Sequence, residues 1–184
     1  FNINFLVNTI LVTSAFYLFF ITLKDFFTKK FKNLSQNLGH FGFSLLILSI
    51  LFNNIFSSEI ITNLKVGETF KSEKFEINFE NIEQKQEKNY KVIIGKFNVK
   101  NLNDRFKILR PELRIYNQPN VVTSEADIKT DLLADRFMTM NLVQNQEYFN
   151  IRYQVKPFMI WIWLSVILIS SAGLISLFKK RYEN

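Results

Sequence analysis

Residues 157–178 read PFMIWIWLSVILISSAGLISLF, a stretch without a single charged side chain, and it decides the class of this protein. A helix needs about 20 mainly apolar residues to cross roughly 30 Å of hydrocarbon. Two further uncharged windows of similar length occupy residues 5–23 and 38–56. The sequence therefore predicts three transmembrane helices, within residues 1–23, 38–56 and 157–178.

The first window has an alternative interpretation, as a signal peptide. It is too long for the apolar segment of one, no basic segment precedes it, and no small-residue cleavage site follows. We therefore interpret it as a membrane span. Because the chain begins with Phe1 rather than Met, we expect it to be a piece of a longer protein or a split subunit.

The net charge of +7 is unevenly distributed. Basic residues predominate in the link after the first span, residues 24–37, and in the tail, residues 179–184. Short loops rich in Lys and Arg stay in the cytoplasm, so both segments are predicted to be cytoplasmic and residues 57–156 periplasmic. The basic residues flank spans and do not form a stripe with interleaved aromatics, which argues against nucleic-acid binding.

The middle region, residues 57–156, has the residue pattern of β-strands. Segments rich in alternating, β-branched or aromatic residues are separated by polar turns. They are residues 75–80, 90–100, 105–116, 120–128, 136–143 and 148–155. Such spacing predicts a small antiparallel sandwich or barrel. The predicted protein is thus a membrane protein with three helices and an extracytoplasmic all-β domain between the second and third.

Little in this region indicates catalysis, and we predict no catalytic residue in the chain. The whole chain lacks cysteine, and its one histidine lies elsewhere. Four acidic residues, Glu125, Asp127, Asp131 and Asp135, lack the glycine-containing spacing of a calcium loop, so we interpret them as solvated strand ends and turns. Glu112 and Arg114 share a strand face, either as a structural ion pair or as a contact for a partner.

The histidine, His40, lies in the stretch NLGHFGFS at residues 37–44, near the start of the second predicted span. An ionisable residue in a span indicates a function, and neutral imidazole is a common axial ligand of haem iron. The alternative is a side chain that reaches the wet interface. Gly39 and Gly42 allow either a bulky partner or a second helix to approach closely. Because His40 is the sole histidine, a second haem ligand has to come from outside this chain.

Several segments together carry a family resemblance. The last, residues 151–182, contains Arg152, Lys156, Pro157, Trp161 and Trp163 before a KKRY end. LRPELRIYN at 109–117, TSEADI at 123–128 and KNLSQNLGHFGFSLL at 32–46 precede it in the family's order. The chain resembles the C-terminal part of the CcmF/NrfE family of cytochrome c-type biogenesis proteins, which are haem lyases of the bacterial inner membrane.

The resemblance implies a role in reducing haem and attaching it to apocytochrome c, with the haem chaperone CcmE and a CcmH-type subunit as partners. His40 matches one of two transmembrane histidines that bind haem b as iron ligands, the other lying before residue 1. The chain would be part of a haem lyase and not a complete catalyst. Trp161 and Trp163 suit an aromatic belt at the membrane interface. The alternatives are a cofactor-free, membrane-anchored periplasmic module that docks a chaperone or apoprotein, and an unrelated periplasmic adaptor.

Overall fold

The computed structural model describes residues 3–28, 34–101, 106–143 and 147–182. Two helices come first, followed by the strands and then by a third helix. The helices are α1 (Ile3–Thr28), α2 (Leu34–Phe56) and α3 (Met159–Tyr182). The chain divides into two compact units. The helical unit comprises Phe1–Ser57, Asp131–Ala134 and Pro157–Asn184, and the sandwich unit comprises Ser58–Thr130 and Asp135–Lys156.

Ten strands occur in the part of the chain that the structure describes. They are β1 (Ser58–Leu64), β2 (Thr69–Lys71), β3 (Phe75–Gln86), β4 (Tyr90–Asn101), β5 (Lys107–Leu109), β6 (Glu112–Asn117), β7 (Asn120–Glu125), β8 (Asp127–Thr130), β9 (Ala134–Leu142) and β10 (Phe149–Pro157). One sheet has the order β1-β10-β9-β8, and the other has the order β2-β3-β4-β6-β7 with β5 also paired to β4. The pairings described are antiparallel.

The core of the sandwich unit forms where the two sheets face each other. Phe79 of β3 stacks on Phe97 of β4 with 4.2 Å between ring centroids. Tyr153 of β10 meets Phe75 of β3 edge to face at 5.2 Å, which joins the two sheets. Alternate side chains along β3 and β10 point inward and the intervening ones outward, as expected for strands with one buried face. Of the predicted sandwich and barrel, the structure has the sandwich.

Close approach of the two sheets explains one glycine in the core. A Cβ on Gly95 of β4 would lie 2.8 Å from the Sδ atom of Met140 on β9, and 2.6 Å from a ring carbon of Phe97. Met140 and Phe97 are both fully buried. Any side chain at residue 95 would therefore force the opposite sheet or the Phe97 ring to move.

The three helices are long and apolar enough to cross a membrane, and they agree with the three predicted windows. By length and composition the spans are Leu6–Thr28, Leu34–Phe56 and Met159–Phe178. Large apolar side chains remain exposed along them, among them Ile10 on α1, Ile50 on α2 and Ile167 on α3. Such apolar outer surfaces suit lipid tails, because lipid is as apolar as the side chains themselves. These features describe a membrane protein.

The helix ends differ in detail from the predicted windows. Helix α1 runs on to Thr28 and so includes Lys24 and Asp25 of the predicted link. The link lysines Lys29, Lys30 and Lys32, and the tail residue Glu183, lie outside the described residues. At the other span, Pro157 is the last residue of β10, and Phe158, with a positive φ of 60°, separates it from the first residue of α3.

Candidate functional site

Helix α2 packs between α1 and α3, and each neighbour contacts a different face. On the α1 side, the hydroxyl groups of Thr22 and Ser44 hydrogen-bond to each other over 2.6 Å, and this pair is buried. Phe41 packs against Phe19 and Phe26 of α1 with ring centroids 5.7 and 5.5 Å apart. Aromatic and hydroxyl contacts therefore fix α1 against α2.

Glycines make the contact with α3. A Cβ on Gly42 would lie 3.0 Å from the Cγ1 atom of Ile169 and 3.1 Å from the Cβ atom of Leu168. A Cβ on Gly39 would lie 3.5 Å from that of Ala172. Of the two roles that the sequence allows these glycines, the structure shows close helix packing. In particular, α3 occupies the space beside Gly42, which is therefore not open to a flat partner.

His40 lies on the remaining face of α2, within its first two turns. Its side chain is exposed. It shares this face with Gln36, about one helical turn before it, and with Phe43 and Ile50, about one and three turns after it. Phe43 and Ile50 are 55% and 50% exposed, so the face is open along much of the helix. The imidazole thus points away from the two helices that α2 contacts.

The face of α2 that carries His40 offers one side chain able to bind a metal ion. An imidazole supplies a neutral nitrogen donor for iron, and the phenyl ring of Phe43, three residues further along the same face, supplies an apolar wall. Among the described residues, no group of three or more His, Cys, Asp or Glu side chains is arranged to hold a metal ion. The residues present therefore fit a single axial ligand rather than a complete site.

Two of the four acidic residues that lie close together in the sequence accept hydrogen bonds from the backbone. Asp131 accepts hydrogen bonds at its Oδ1 atom from the backbone N–H groups of Leu133 and Ala134, at 3.1 and 3.0 Å. Asp127 accepts one at Oδ2 from the N–H of Arg110 at 2.7 Å. Such side-chain bonds to the backbone fix turns. The interpretation of these residues as strand ends and turns is supported for Asp127 and Asp131.

The other two members of that cluster behave differently. Glu125 ends β7 and accepts a hydrogen bond from the hydroxyl of Thr123 at 3.3 Å. Asp135 was expected to be solvated, but it is only 8% exposed. Its Oδ1 atom is buried and has no hydrogen-bond partner among the residues that the structure describes. That expectation was wrong because Asp135 is the second residue of β9, and the first three residues of this strand are all buried.

Two ion pairs stabilise the outer faces of the sandwich. Arg114 donates to Glu112 at 2.9 Å, as the spacing of the two residues predicts for a structural pair, and this hydrogen bond raises the pKa of the Arg114 guanidinium. Arg152 of β10 donates to Glu59 of β1. The Arg152 guanidinium lowers the pKa of the Glu59 carboxyl below its usual range. The side chains of both pairs are partly exposed to solvent, so each pair adds only modestly to the stability of the sandwich.

The tryptophans at the start of α3 have separate roles. The indole N–H of Trp161 donates to the backbone oxygen of Leu132 at 2.9 Å, whereas Trp163 is 62% exposed. The turn that accepts this bond was not singled out in the sequence. The sequence signal for this turn was Asp131, because an aspartate can close a turn by bonding to nearby backbone N–H groups. Two apolar residues, Leu132 and Leu133, follow it directly.

Comparison with known proteins gives the relationship. A family model described as the CcmF C-terminal beta-sandwich matches residues 55–157. This chain belongs to the CcmF family. The matched range covers the sandwich unit and its connections to α2 and α3, and it confirms the resemblance to the C-terminal part of CcmF proteins.

Curated relatives of the CcmF family agree. The chain is 25% identical to the cytochrome c-type biogenesis protein CcmF of Haemophilus influenzae over 79% of this chain and 22% of the relative. It is 24% identical to CcmF of Escherichia coli, again over 79% and 22%. The cytochrome c-type biogenesis protein ccl1 of Rhodobacter capsulatus is 29% identical over 68% of this chain. The chain thus spans only about a fifth of the length of these relatives.

A solved structure of the cytochrome c haem lyase CcmF shares the fold. It matches 87% of this chain and 28% of its own chain with a TM-score of 0.65 and 15% sequence identity. The fold of this CcmF-family chain therefore recurs within a much longer protein.

Proposed function

We propose that this chain is the C-terminal segment of a cytochrome c maturation haem lyase, and that His40 is one axial ligand of a haem b in the membrane. The observation that carries this proposal is the position of His40 on the one open face of α2. Its imidazole points away from α1 and α3, so the haem and the second ligand would come from outside the three helices. When bound, haem b supplies electron transfer that can reduce the haem iron to be attached.

The residues of this chain would contribute to that site in distinct ways. His40 would hold the iron through one ring nitrogen. Phe43, exposed on the same face of α2 three residues further along, would cover part of the bound haem and exclude water. The Gly39 and Gly42 contacts with α3 would fix the direction in which the imidazole points.

The proposal includes a place in the cell and a set of partners. The basic segments around residues 24–37 and 179–184 favour the cytoplasmic side of the bacterial inner membrane for both. The sandwich would then face the periplasm, where haem is attached to apocytochrome c. Its partners there would be the haem chaperone CcmE, a CcmH-type subunit and the apocytochrome.

The test is the haem content of the complex purified from membranes. We expect His40→Ala to lose the haem b absorbance bands while the amount of chain in the membrane is unchanged. The matched control is Gln36→Ala, which removes a polar side chain from the same exposed face one turn earlier and should keep the haem. His40→Met, which offers a sulfur ligand, should keep haem with a shifted spectrum.

Unchanged haem content in His40→Ala would contradict the ligand role. Combined with a defect in cytochrome c maturation after changes on the sandwich surface, it would favour the alternative, a cofactor-free module that docks a chaperone or apoprotein. Normal maturation without the chain would contradict both and indicate an adaptor of another kind.

A further inference from the structure

The turn between β8 and β9 exposes two leucines side by side. Leu132 and Leu133 are 68% and 69% exposed, although the residue that follows them, Ala134, is buried. Leucine at the tip of a tight, water-facing turn is unfavourable, because both side chains keep their apolar surface in contact with water. The conformation is nevertheless fixed, since the carboxylate of Asp131 holds the N–H groups of Leu133 and Ala134.

This turn is attached to the beginning of α3. The backbone oxygen of Leu133 accepts a hydrogen bond from the N–H of Phe158 at 2.8 Å. The backbone oxygen of Leu132 accepts one from the indole of Trp161 at 2.9 Å. Their backbone oxygens are held by Phe158, just before α3, and by Trp161 in its first turn, so the two leucines belong to the helical unit and not to the sandwich.

The level of the turn along α3 follows from these bonds. The membrane-spanning part of α3 begins at Met159, and Trp161 lies two residues, or about 3 Å, further along the helix axis. The turn therefore lies where the apolar span starts, at the depth at which tryptophan rings occupy membrane interfaces.

From this geometry we infer that Leu132 and Leu133 insert into the outer region of the lipid leaflet in which α3 begins. The turn lies on the side of α3 that carries Trp161 and, three residues further along, the exposed Leu164. Lipid is the occupant that this position favours, because the turn is held where the apolar span of α3 begins. This inference rests on the membrane spans and does not depend on haem binding by His40.

The absence of cysteine from the sequence makes the test direct. Leu133→Cys would carry a polarity-sensitive bimane label in the full complex, reconstituted in nanodiscs of phosphatidylethanolamine and phosphatidylglycerol. The two quenchers are doxyl lipids and aqueous iodide. The signal of the parent complex, treated with the same reagent, is subtracted.

Two matched positions calibrate the measurement. Ile167→Cys places the label on an exposed position of α3, about 12 Å along the helix axis from Met159, where the span begins. Asn89→Cys places it in the exposed turn between β3 and β4. We expect the Leu133 label to be quenched most by a shallow doxyl group, the Ile167 label most by a deep one, and the Asn89 label by iodide only.

Two results would overturn the inference. Iodide quenching at Leu133 as strong as at Asn89 would place the turn in water. Protection from both iodide and doxyl lipid would show that another protein segment covers the turn. Leu132→Cys is the second position, so that a folding failure at one leucine leaves the measurement possible at the other.

Discussion

The hydroxyl groups of Thr22 on α1 and Ser44 on α2 lie 2.6 Å apart and form a buried hydrogen bond between the two helices. Each hydroxyl also lies within hydrogen-bond distance of a backbone carbonyl in its own helix, that of Leu18 for Thr22 and that of Phe41 for Ser44. One hydroxyl therefore donates to the other, and the hydroxyl that accepts can donate to its own carbonyl. In the membrane, hydroxyl groups on separated helices have no water to bind. The net strength of this bond therefore depends on which other partners each hydroxyl would find when the helices are apart.

The first prediction concerns this pair. Thr22→Val and Ser44→Ala should each lower the free energy of unfolding by about 1 kcal/mol, and the double variant should lose less than the sum. Thr13→Val is the control, because Thr13 bonds only within α1, to Thr9. Titration with a denaturing detergent measures the difference. Strict additivity of the two single changes would show that the pair is not coupled.

The second prediction uses two glycines with different surroundings. Gly42→Leu should separate α2 from α3 and lower the free energy of unfolding by about 1–3 kcal/mol, because α3 backbone and side chains lie within 3.2 Å of a Cβ there. Gly173→Leu is the matched control, since no atom of the described residues lies within 4 Å of a Cβ at that residue of α3. Thermal unfolding in detergent compares the two, and equal losses would contradict the packing role of Gly42.

The third prediction is a pH dependence. Arg152 lowers the folded-state pKa of Glu59 below its ordinary value of 4.5. A lowered folded-state pKa means that the stabilisation is present above pH 4.5 and is lost as the pH falls through the folded-state pKa. Arg152→Met should therefore unfold at a lower temperature than the wild type at neutral pH.

This difference between the wild type and Arg152→Met should shrink and vanish as the solution is acidified. Both partners are partly exposed, at 52% and 37% for the side chains of Arg152 and Glu59, so a small effect that weakens in salt is expected. A gap between the two melting temperatures that is constant with pH would mean that Arg152 acts through packing alone.

The fourth prediction tests the proposed placement across the membrane. Asn89→Cys in the β3–β4 turn should react with a membrane-impermeant maleimide in cells whose outer membrane has been opened. Thr28→Cys, at the end of α1, should react only after the inner membrane is also broken. The opposite pattern would place the sandwich in the cytoplasm.

Much of the strand pattern could be predicted from the sequence, and the errors have physical causes. Residues 75–80 and 90–100 fall in β3 and β4, but β3 continues six residues beyond the prediction, to Gln86. Only residues 87–89, all exposed, form the hairpin tip. Residues 120–128, predicted as one strand, form β7 and β8 in different sheets. Alternation shows which residues point inward, but not to which sheet a strand belongs.

Two further strand errors arose at the start and in the middle of the sandwich. The prediction over residues 105–116 ignored Pro111, which has no N–H to donate and lies between β5 and β6. Strand β1, SEIITNL, was not predicted. It follows α2 after one residue, Ser57, and leaves no polar turn as a signal.

The candidate site could be predicted only in part. Hydropathy and charge located His40 near the start of a span, but the direction of its side chain depends on which faces of α2 meet α1 and α3. From the sequence alone, Gly39 or Phe43 could lie on a face of α2 that packs against another helix or on a face that is exposed. Only the assembled helices separate them, because helix contacts depend on long-range packing.

The tight packing of α2 has a consequence for the spectrum of any iron bound by His40. The rotation of α2 about its own axis is set by two residues on faces other than that of His40. Ser44 contacts α1, and Gly42 contacts α3. A rotation of a few degrees would change the direction in which the His40 side chain leaves the helix. Substitutions on the hidden faces of α2 would thus be visible in electron paramagnetic resonance while His40 itself stayed unchanged.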